Sequence, residues 1–397
     1  MGASVFDLVG KVDNLHDPVP VLNKREAVLG VVITFLLLSW SCAAVRLYTR
    51  VFTLRCPGWD DFFVVLVMVT TLVLSIGTCL ALDHGLGKHF LTLSLDEVQD
   101  FIKAFYIPNG AYPMSTALIK LALLFQYLRI FEDGTRLRYI TMVAIAITAL
   151  WGVAFSFIAW VPCYPVEAYW NWSIEAKARW GFGSHDANVF AGTYISQVST
   201  NVLLDLTVFA IPIPLYFRPG LSSKSRIGLF GLIFLGAVVN MLSIWRLVSI
   251  VQSKAGTYPT LDPSWYGSVP IVLAALEVDL ALICASLPVF WPVVQSSLGR
   301  IFVTREVNVT REDRRYSTQD EDAELCDMSP SPRLPPVAGK KRYSDPFVRW
   351  AVDPLRFSKA ATTTVESVGQ ADAAERPYRQ EFSRMKKESK DSLLNET

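Results

Sequence analysis

Long apolar stretches alternate with short polar segments along most of this chain. Seven of them reach the roughly 20 residues that an α-helix needs to cross about 30 Å of hydrocarbon. They lie at 27–48, 61–82, 102–127, 139–161, 192–216, 227–250 and 268–294. Because backbone groups cannot remain unpaired in lipid and these runs lack a period of two, helices are favoured over a barrel. The pattern predicts an all-α bundle of seven transmembrane helices, numbered one to seven along the chain.

Polar segments flank the predicted bundle. We predict a short extracellular N-terminus at 1–26, the membrane domain at 27–299 and a cytoplasmic tail at 300–397. The tail combines a Pro-rich run at 329–336 with interleaved charges. Such a composition cannot bury enough apolar surface to fold. The tail is therefore predicted to be disordered.

Basic residues are concentrated in alternate loops, and Lys and Arg are retained on the cytoplasmic side of a membrane. The loops after helices one, three and five carry Arg46, Arg50, Arg55, Arg129, Arg136, Arg138, Arg218, Lys224 and Arg226, whereas the other loops carry Lys88, Lys177, Arg179 and Lys254. This distribution places the N-terminus outside and the tail inside. Asn171-Trp172-Ser173 agrees, because it is a glycosylation acceptor in a loop predicted to face outside.

Composition narrows the functional classes. The chain is 52% hydrophobic and only 18% charged, whereas an average soluble domain is about 25% charged. A net charge of +1 provides no basic surface for a nucleic acid. The lipid bilayer is thus the predicted surrounding, with the plasma membrane favoured and an endomembrane as the alternative.

Ionisable residues inside the predicted spans are the main candidate functional residues. Each costs roughly 2.5–3.5 kcal/mol on insertion scales and should face the bundle with a partner. They are Lys120 in helix three, Asp205 in helix five, Arg246 in helix six, and Glu277 and Asp279 in helix seven. By depth, Lys120 can reach Asp205, and Arg246 can reach Glu277. Two interpretations remain open: pairs that rearrange between two states of a receptor, or static pairs that fix helix register.

Light sensing and catalysis find little support in the sequence. Retinal requires a buried lysine for its Schiff base, and helix seven has none, so we predict neither retinal nor another cofactor. No nucleophile elbow or P-loop occurs, and no histidine falls in a predicted span, so we predict no enzyme activity and no metal site. The histidines are expected to be solvated on the outside: His16, His84, His89 and His185. The alternative is that they bind a metal or sense acidity together with the nearby Asp83 and Asp186. A carrier remains a further alternative, because prolines in helices three, five and seven suit either a hinge or a binding cavity.

Cys79 and Cys163 are the cysteines that this topology places near an oxidising solvent. A disulfide between them would tie the loop 162–191 over the bundle. Cys79 can equally lie within lipid, so the bridged and the free states both remain open.

The predicted tail contains two similar kinase-like motifs. Arg314-Arg315-Tyr316-Ser317 and Lys341-Arg342-Tyr343-Ser344 place a serine two residues after a basic pair. We predict phosphorylation at Ser317 and Ser344. Phosphate there would alter contacts of the tail with anionic lipid or an arginine-rich partner.

An ordered series of short motifs accompanies the predicted helices. It includes Arg46-Leu47-Tyr48-Thr49-Arg50, Gly58-Trp59-Asp60-Asp61, Gly85-Leu86-Gly87-Lys88-His89, Leu118-Ile119-Lys120-Leu121, Tyr127-Leu128-Arg129-Ile130-Phe131, Cys163-Tyr164-Pro165, Asp205 before Pro212-Ile213-Pro214, Phe234-Leu235-Gly236, Ser243-Ile244-Trp245-Arg246-Leu247, Glu277 and Cys284-Ala285-Ser286-Leu287-Pro288. Over about residues 25–300 the series resembles the fungal rhodopsin-domain family, seven-helix membrane proteins related to Pth-type receptor-like proteins.

The resemblance implies a receptor-like protein that senses an extracellular stimulus, either a small molecule or a surface, and signals to cytoplasmic partners, with a heterotrimeric G protein as the candidate. Arg129 ends helix three where G-protein-coupled receptors also place an arginine; an ordinary positive-inside anchor is the alternative. Asp60 and Asp61 can cap helix two and pair with Arg50 or Arg129. Some related proteins are encoded in secondary-metabolite gene clusters. The alternative function is thus an accessory role in the biosynthesis of such a product, a mycotoxin for example, in its transport or tolerance.

The chain departs from the family pattern in two places. Residues 183–186 read Gly-Ser-His-Asp where the family commonly has a second loop cysteine, which weakens the usual loop disulfide. About 26 residues without cysteine precede helix one, so we expect no CFEM domain.

Overall fold

The computed structural model of the chain describes residues 4–53, 55–131, 133–217 and 223–302. The predicted disordered tail begins at residue 300, but residues 300–302 are the helical end of the last long helix, so disorder was wrong for these three. The rest of the tail, with Ser317 and Ser344, lies outside the described residues, and so does Arg218.

Long helices form at each predicted span. They are α1 (Arg25–Tyr48), α2 (Trp59–Asp83), α3 (Leu95–Ile130), α4 (Arg136–Trp160), α5 (Ala187–Ala210), α6 (Ser223–Gln252) and α7 (Ser268–Phe302). Short helical segments precede α1 at Val5–Leu8 and Val21–Asn23. Others lie between the long helices at Thr49–Thr53, Phe90–Thr92, Val166–Tyr169, Gly181–Gly183, Ile213–Tyr216 and Pro263–Tyr266. Two short antiparallel strands, β1 (Cys163–Tyr164) and β2 (Ala178–Arg179), fold the loop before α5 back on itself.

Six segments are long and apolar enough to cross a membrane: Arg25–Thr53, Trp59–Asp83, Arg136–Trp160, Ala187–Tyr216, Arg226–Gln252 and Pro263–Val289. The predicted all-α membrane bundle is confirmed. The helix α3 is 36 residues long, but its sequence is less apolar than those six. A seventh crossing by α3 therefore stays a prediction, as does the orientation of the bundle.

The helix α3 lies at the centre of the bundle and packs against α2, α4, α5 and α7. A capping box begins it, in which Ser94 Oγ accepts from the Glu97 amide at 3.3 Å and Glu97 accepts from the Ser94 amide at 2.8 Å. Close packing with α2 depends on Gly77, where a Cβ atom would lie 2.7 Å from the Pro108 ring. A helix enclosed on several sides presents little surface to lipid, which accounts for its lower hydropathy.

The N-terminal segment and the loops before α5 and α7 meet at one end of the bundle, which we call the N-terminal end. The Val5 amide donates to the His185 carbonyl at 2.8 Å, and the Gly10 amide donates to Thr260 Oγ1 at 3.1 Å. Arg46 and Arg129 lie near the other end, which we call the opposite end, where α1 and α3 terminate. The structure thus groups the segments predicted to be extracellular on one side.

His89 departs from the sequence prediction of a solvated histidine. Its exposed fraction is only 9%. Its Nδ1 lies 2.8 Å from Asp262 Oδ2, and its ring stacks on Trp265 with the centroids 3.8 Å apart. Asn14 Nδ2 donates to the same Asp262 oxygen at 2.9 Å. The prediction for His89 was wrong because contact partners far along the chain bury it.

The sequence left open whether Cys79 and Cys163 are bridged or free. Cys79 and Cys163 are both free thiols in the structure. Cys163 is fully buried at β1, and its Sγ donates to the Pro165 carbonyl at 3.2 Å. Burial raises the pKa of this thiol, which keeps it protonated at neutral pH. The structure thus contains the free state of Cys79 and Cys163, and whether the two pair in the membrane protein stays a prediction.

Candidate functional site

A buried ion pair lies in the middle of the bundle. Lys120 Nζ on α3 is 2.9 Å from Asp205 Oδ1 on α5 and donates to the Asn201 amide oxygen at 2.7 Å. Both members of the pair are at most 10% exposed. The predicted contact between Lys120 and Asp205 is confirmed, and the role of the pair stays a prediction.

Arg246 and Glu277 are joined differently from the prediction. The Arg246 guanidinium on α6 lies over the ring of Tyr112, 3.7 Å from its centroid. The Tyr112 hydroxyl in turn donates to Glu277 Oε1 on α7 at 2.9 Å. The predicted direct pair was wrong because the Tyr112 ring, supplied by α3, takes the position against the guanidinium.

Two further side chains connect these groups. Asn201 Nδ2 lies 2.9 Å from Glu277 Oε1 and 3.0 Å from Asp205 Oδ2. Ser243 Oγ donates to the same Asp205 oxygen at 3.0 Å. The resulting central network joins four helices and consists of Tyr112, Lys120, Asn201, Asp205, Ser243, Arg246 and Glu277.

Some hydrogen-bonding capacity of the central network is unused. Arg246 is 5% exposed, yet its Nε and Nη1 find no acceptor among the described residues. Glu277 Oε2 likewise finds no donor in the described part of the chain. Unsatisfied buried polar atoms are costly, so these atoms mark where a further polar group would be accommodated.

Asp279 lies apart from this network. It accepts from Ser39 Oγ on α1 at 2.7 Å and is 2% exposed. It therefore joins α1 to α7, whereas Glu277 on the same helix faces α3 and α5. Of the five predicted intramembrane residues, the structure brings Lys120, Asp205, Arg246 and Glu277 into one network.

A cavity with about 680 Å³ of empty space, part of it open to solvent, extends from the N-terminal end to Arg246 and Tyr112. Its walls come from α2, α3, α5, α6 and α7 together with the segment before α7, and they are mostly apolar and aromatic. Lining residues include Phe105, Pro108, Phe190, Tyr194, Tyr266 and Ile271. We call this space the inner cavity.

An outer cavity with about 780 Å³ of empty space, part of it open to solvent, adjoins it and shares Phe105, Phe190 and Tyr194 as walls. The N-terminal segment and the loop before α5 complete it, with Arg179 and His185 among the lining residues. Burial, followed by repulsion from Arg179, lowers the pKa of His185. His185 is thus neutral at pH 7, and Arg179 supplies the positive charge of this cavity.

A second buried charge cluster lies at the opposite end. Arg46 Nη2 is 2.7 Å from Asp60 Oδ2, and Arg46 Nε is 3.1 Å from Asp61 Oδ1. Asp60 also binds Arg129 Nη1 at 2.9 Å and Arg50 Nη2 at 3.4 Å. We call these five residues the arginine cluster. With three arginines and two carboxylates it carries a net positive charge.

Helices α3 and α7 also contact the arginine cluster. Arg46 Nη1 donates to the Gln126 amide oxygen on α3 at 3.1 Å and to the Ala285 carbonyl on α7. Asp61 also accepts from the Gly58 amide at 3.1 Å, which confirms its predicted role as a helix cap. The predicted contacts of Asp60 with Arg50 and Arg129 are present as well.

Sequence reasoning misses several members of these sites. Tyr112, Asn201 and Ser243 carry no charge, so nothing in a hydropathy profile distinguishes them from ordinary helix-packing residues. The charge pattern assigns Arg46 to the loop at the end of helix one, but this residue is fully buried at the centre of the arginine cluster. The apolar neighbours on both sides of Arg46 are the signal that could have found it.

The predicted glycosylation site lies at the N-terminal end. The Asn171 side chain accepts from the Ser173 amide at 3.2 Å, and Trp172 between them is 38% exposed. Use of this site stays a prediction.

Comparison with known proteins places the chain in a family. The fungal rhodopsin domain profile matches residues 45–296. The "SAT4 family membrane protein" of Emericella nidulans is 24% identical over 220 residues, covering 54% of this chain and 51% of that protein. The "Fugralins biosynthesis cluster protein 2" of Gibberella zeae is 24% identical over 272 residues, covering 67% of this chain and 64% of that protein.

The chain thus spans about half of the first of these curated relatives and less than two thirds of the second. No solved structure matches it. The profile match covers more than half of the chain and includes both the central network and the arginine cluster. The chain belongs to the fungal rhodopsin domain family.

Proposed function

We propose that this chain is a non-catalytic, receptor-like protein of the plasma membrane. It binds a small molecule from outside in the inner cavity and signals to cytoplasmic partners, of which a heterotrimeric G protein is the leading one. The single observation that supports this most is that the inner cavity ends on Arg246 and Tyr112, which belong to the central network.

A ligand in the inner cavity would act on that network directly. Tyr112 contacts Arg246 on one side and Glu277 on the other. A group that draws Arg246 away would free the Tyr112 ring and change its hydrogen bond to Glu277. Because these three residues stand on α3, α6 and α7, such a change alters contacts among three helices at once.

The arginine cluster is the corresponding element at the opposite end. Arg129 is held there by Asp60 and by the Cys56 carbonyl, which accepts from Arg129 Nη2 at 3.1 Å. A cytoplasmic partner would contact the Arg129 guanidinium only after these bonds open. We infer that the described arrangement exchanges with a second one in which these bonds are open, and that a bound Gα subunit stabilises the second even without a ligand.

The test is whether protein purified in detergent retains a Gα subunit, and whether a non-hydrolysable GTP analogue releases it. Retention that the nucleotide reverses and that Arg129→Ala abolishes is the expected result. Arg136→Ala is the matched control, because Arg136 is an exposed arginine at the same end of the bundle. Well-folded protein without nucleotide-sensitive retention would contradict coupling to a G protein.

A second candidate function is an accessory role in a secondary-metabolite pathway. The observation that favours it is the name of the Gibberella zeae relative, a biosynthesis cluster protein. In that role the inner cavity would hold the pathway product during its transport or provide tolerance to it. Product that accumulates inside cells of a deletion strain, with signalling unchanged, would favour this function over the receptor.

A further inference from the structure

We propose that the ligand of the inner cavity is an aromatic, otherwise apolar molecule with a carboxylate or similar anionic group, and that Arg246 binds this group. The proposal rests on the proposed function, because it takes the inner cavity as the ligand site. It specifies the chemical class of the ligand and the residue that selects it.

The charges along the two cavities have one sign. Arg246 is the charged residue among the described residues that line the inner cavity, and Arg179 is the arginine that lines the outer one. No Asp or Glu occurs among the described lining residues of either. Apolar walls concentrate the field of the two arginines, so an anion entering from the N-terminal end is attracted along its path.

Arg246 lines the inner cavity, and its guanidinium has unused hydrogen-bonding capacity. Its Nε and Nη1 lack acceptors in the described part of the chain although the side chain is 95% buried. Tyr112 covers one face of the guanidinium, and a ring face accepts no conventional hydrogen bond from these atoms. A carboxylate would satisfy the missing bonds with charge-assisted ones, which are shorter and stronger than neutral hydrogen bonds.

The remaining walls suit a flat apolar body. Phe105, Phe190, Tyr194 and Tyr266 contribute aromatic rings, and Pro108 contributes an apolar ring surface. Rings so placed favour stacked and edge-to-face contacts with an aromatic ligand. The Tyr194 hydroxyl already donates to Asn109 Oδ1 at 2.9 Å. Selection for a charged group therefore falls to Arg246.

The test compares two probes with the same aromatic body, 1-naphthoic acid and its uncharged methyl ester, by equilibrium dialysis against the full-length protein in detergent. Empty micelles at the same concentration correct for partition into detergent. At pH 7 the acid is expected to bind at least tenfold more tightly than the ester. This affinity ratio corresponds to one charge-assisted hydrogen bond of about 1.5 kcal/mol.

Variants of Arg246 locate the preference. Arg246→Gln is expected to weaken binding of the acid at least tenfold and to change binding of the ester less than twofold, so that ester binding also reports an intact cavity. Arg246→Lys keeps the charge and is expected to keep a preference for the acid. Arg226→Gln is the matched control, because Arg226 is an exposed arginine on the same helix and does not line the cavity.

Equal affinities of the unmodified protein for acid and ester would overturn the anion preference even if the variants fail to fold. In that case the inner cavity would remain a ligand site, and the proposed function would stand. Absence of binding by either probe would overturn the ligand class. Coupling to a G protein is measured separately, without any ligand, by nucleotide-sensitive Gα retention. An acid preference that survives in Arg246→Gln would overturn the assignment to Arg246.

Discussion

Replacing Lys120 by Met removes the cation that lies 2.9 Å from Asp205 Oδ1. The Asp205 carboxylate stays buried with hydrogen bonds from Ser243 and Asn201. The reciprocal change, Asp205→Leu, leaves the Lys120 ammonium buried with the Asn201 amide oxygen as its acceptor. Removing one partner of a buried ion pair costs about 3–5 kcal/mol, because the other charge loses its compensation. We expect each single variant to lose free energy of unfolding in that range.

The double variant Lys120→Met with Asp205→Leu is expected to be more stable than either single variant. It buries no uncompensated charge, and replacement of a buried pair by apolar side chains is often neutral. The remaining loss is about 1–3 kcal/mol, because Asn201 and Ser243 are left without their partners. Since the single losses add to about 6–10 kcal/mol, the coupling energy between the two residues is at least about 3 kcal/mol.

Thermal unfolding in detergent, followed by tryptophan fluorescence, measures these losses. A loss of 1 kcal/mol lowers Tm by about 2–4 °C for a domain of this size, so each single variant is expected to unfold about 6–20 °C lower. Met114→Leu and Leu203→Met are matched controls, since both residues are exposed on the same helices. Additive losses in the double variant would refute the reasoning, because additivity is the behaviour of residues that do not interact.

Three other experiments test the packing of the bundle, the state of its cysteines and the arginine cluster. Gly77→Ala is expected to lower the free energy of unfolding by about 1–3 kcal/mol, because the new methyl group overlaps α3. Gly30 has no atom near its Cβ position, so Gly30→Ala is expected to be neutral or to stabilise the protein by up to about 1 kcal/mol. Thermal unfolding in the same detergent compares the two variants. Equal losses of stability would contradict the close packing of α2 on α3 at Gly77. Alkylation of the denatured protein without reductant is expected to modify both Cys79 and Cys163. A protein mass that lacks the alkyl groups on both cysteines would reveal a disulfide between them. Arg46→Met is expected to lower the free energy of unfolding by about 3–5 kcal/mol in the same assay, and an unchanged Tm would contradict its central place in the arginine cluster.

The sequence alone predicts those parts of the fold that the hydrocarbon layer of the membrane determines. A hydrocarbon layer sets the length of each apolar run and demands helices, so the predicted spans and the long helices agree to within several residues. The same solvent penalises each buried charge, and this penalty identifies Lys120 and Asp205 as partners from their positions along the chain.

Contacts that depend on helix rotation are beyond the same reasoning. Arg246 and Glu277 lie at comparable depths, but which side chain stands between them depends on how α3 is turned, and there Tyr112 occupies the gap. His89 is buried by Asp262, 173 residues away along the chain. Hydropathy gives the depth of a residue and its cost in lipid, whereas its neighbours are set by interhelical packing.

The two buried polar clusters share helices, and this allows a change at one to reach the other. Glu277 and Ala285 are eight residues apart on α7, about 12 Å along the axis. The first accepts from Tyr112 in the central network, and the carbonyl of the second accepts from Arg46 in the arginine cluster. On α3, Lys120 belongs to the central network, while Gln126 contacts Arg46.

A rotation or shift of α7 that breaks the Tyr112–Glu277 hydrogen bond would therefore also withdraw the Ala285 carbonyl from Arg46. Arg46 would then lose one of its acceptors while it still neutralises both carboxylates at the start of α2. Asp60 is shared between Arg46 and Arg129, so any movement of Arg46 changes how firmly Arg129 is held. In the receptor function proposed above, a ligand anion at Arg246 would act on Arg129 by this route, through α7 and the contacts named here.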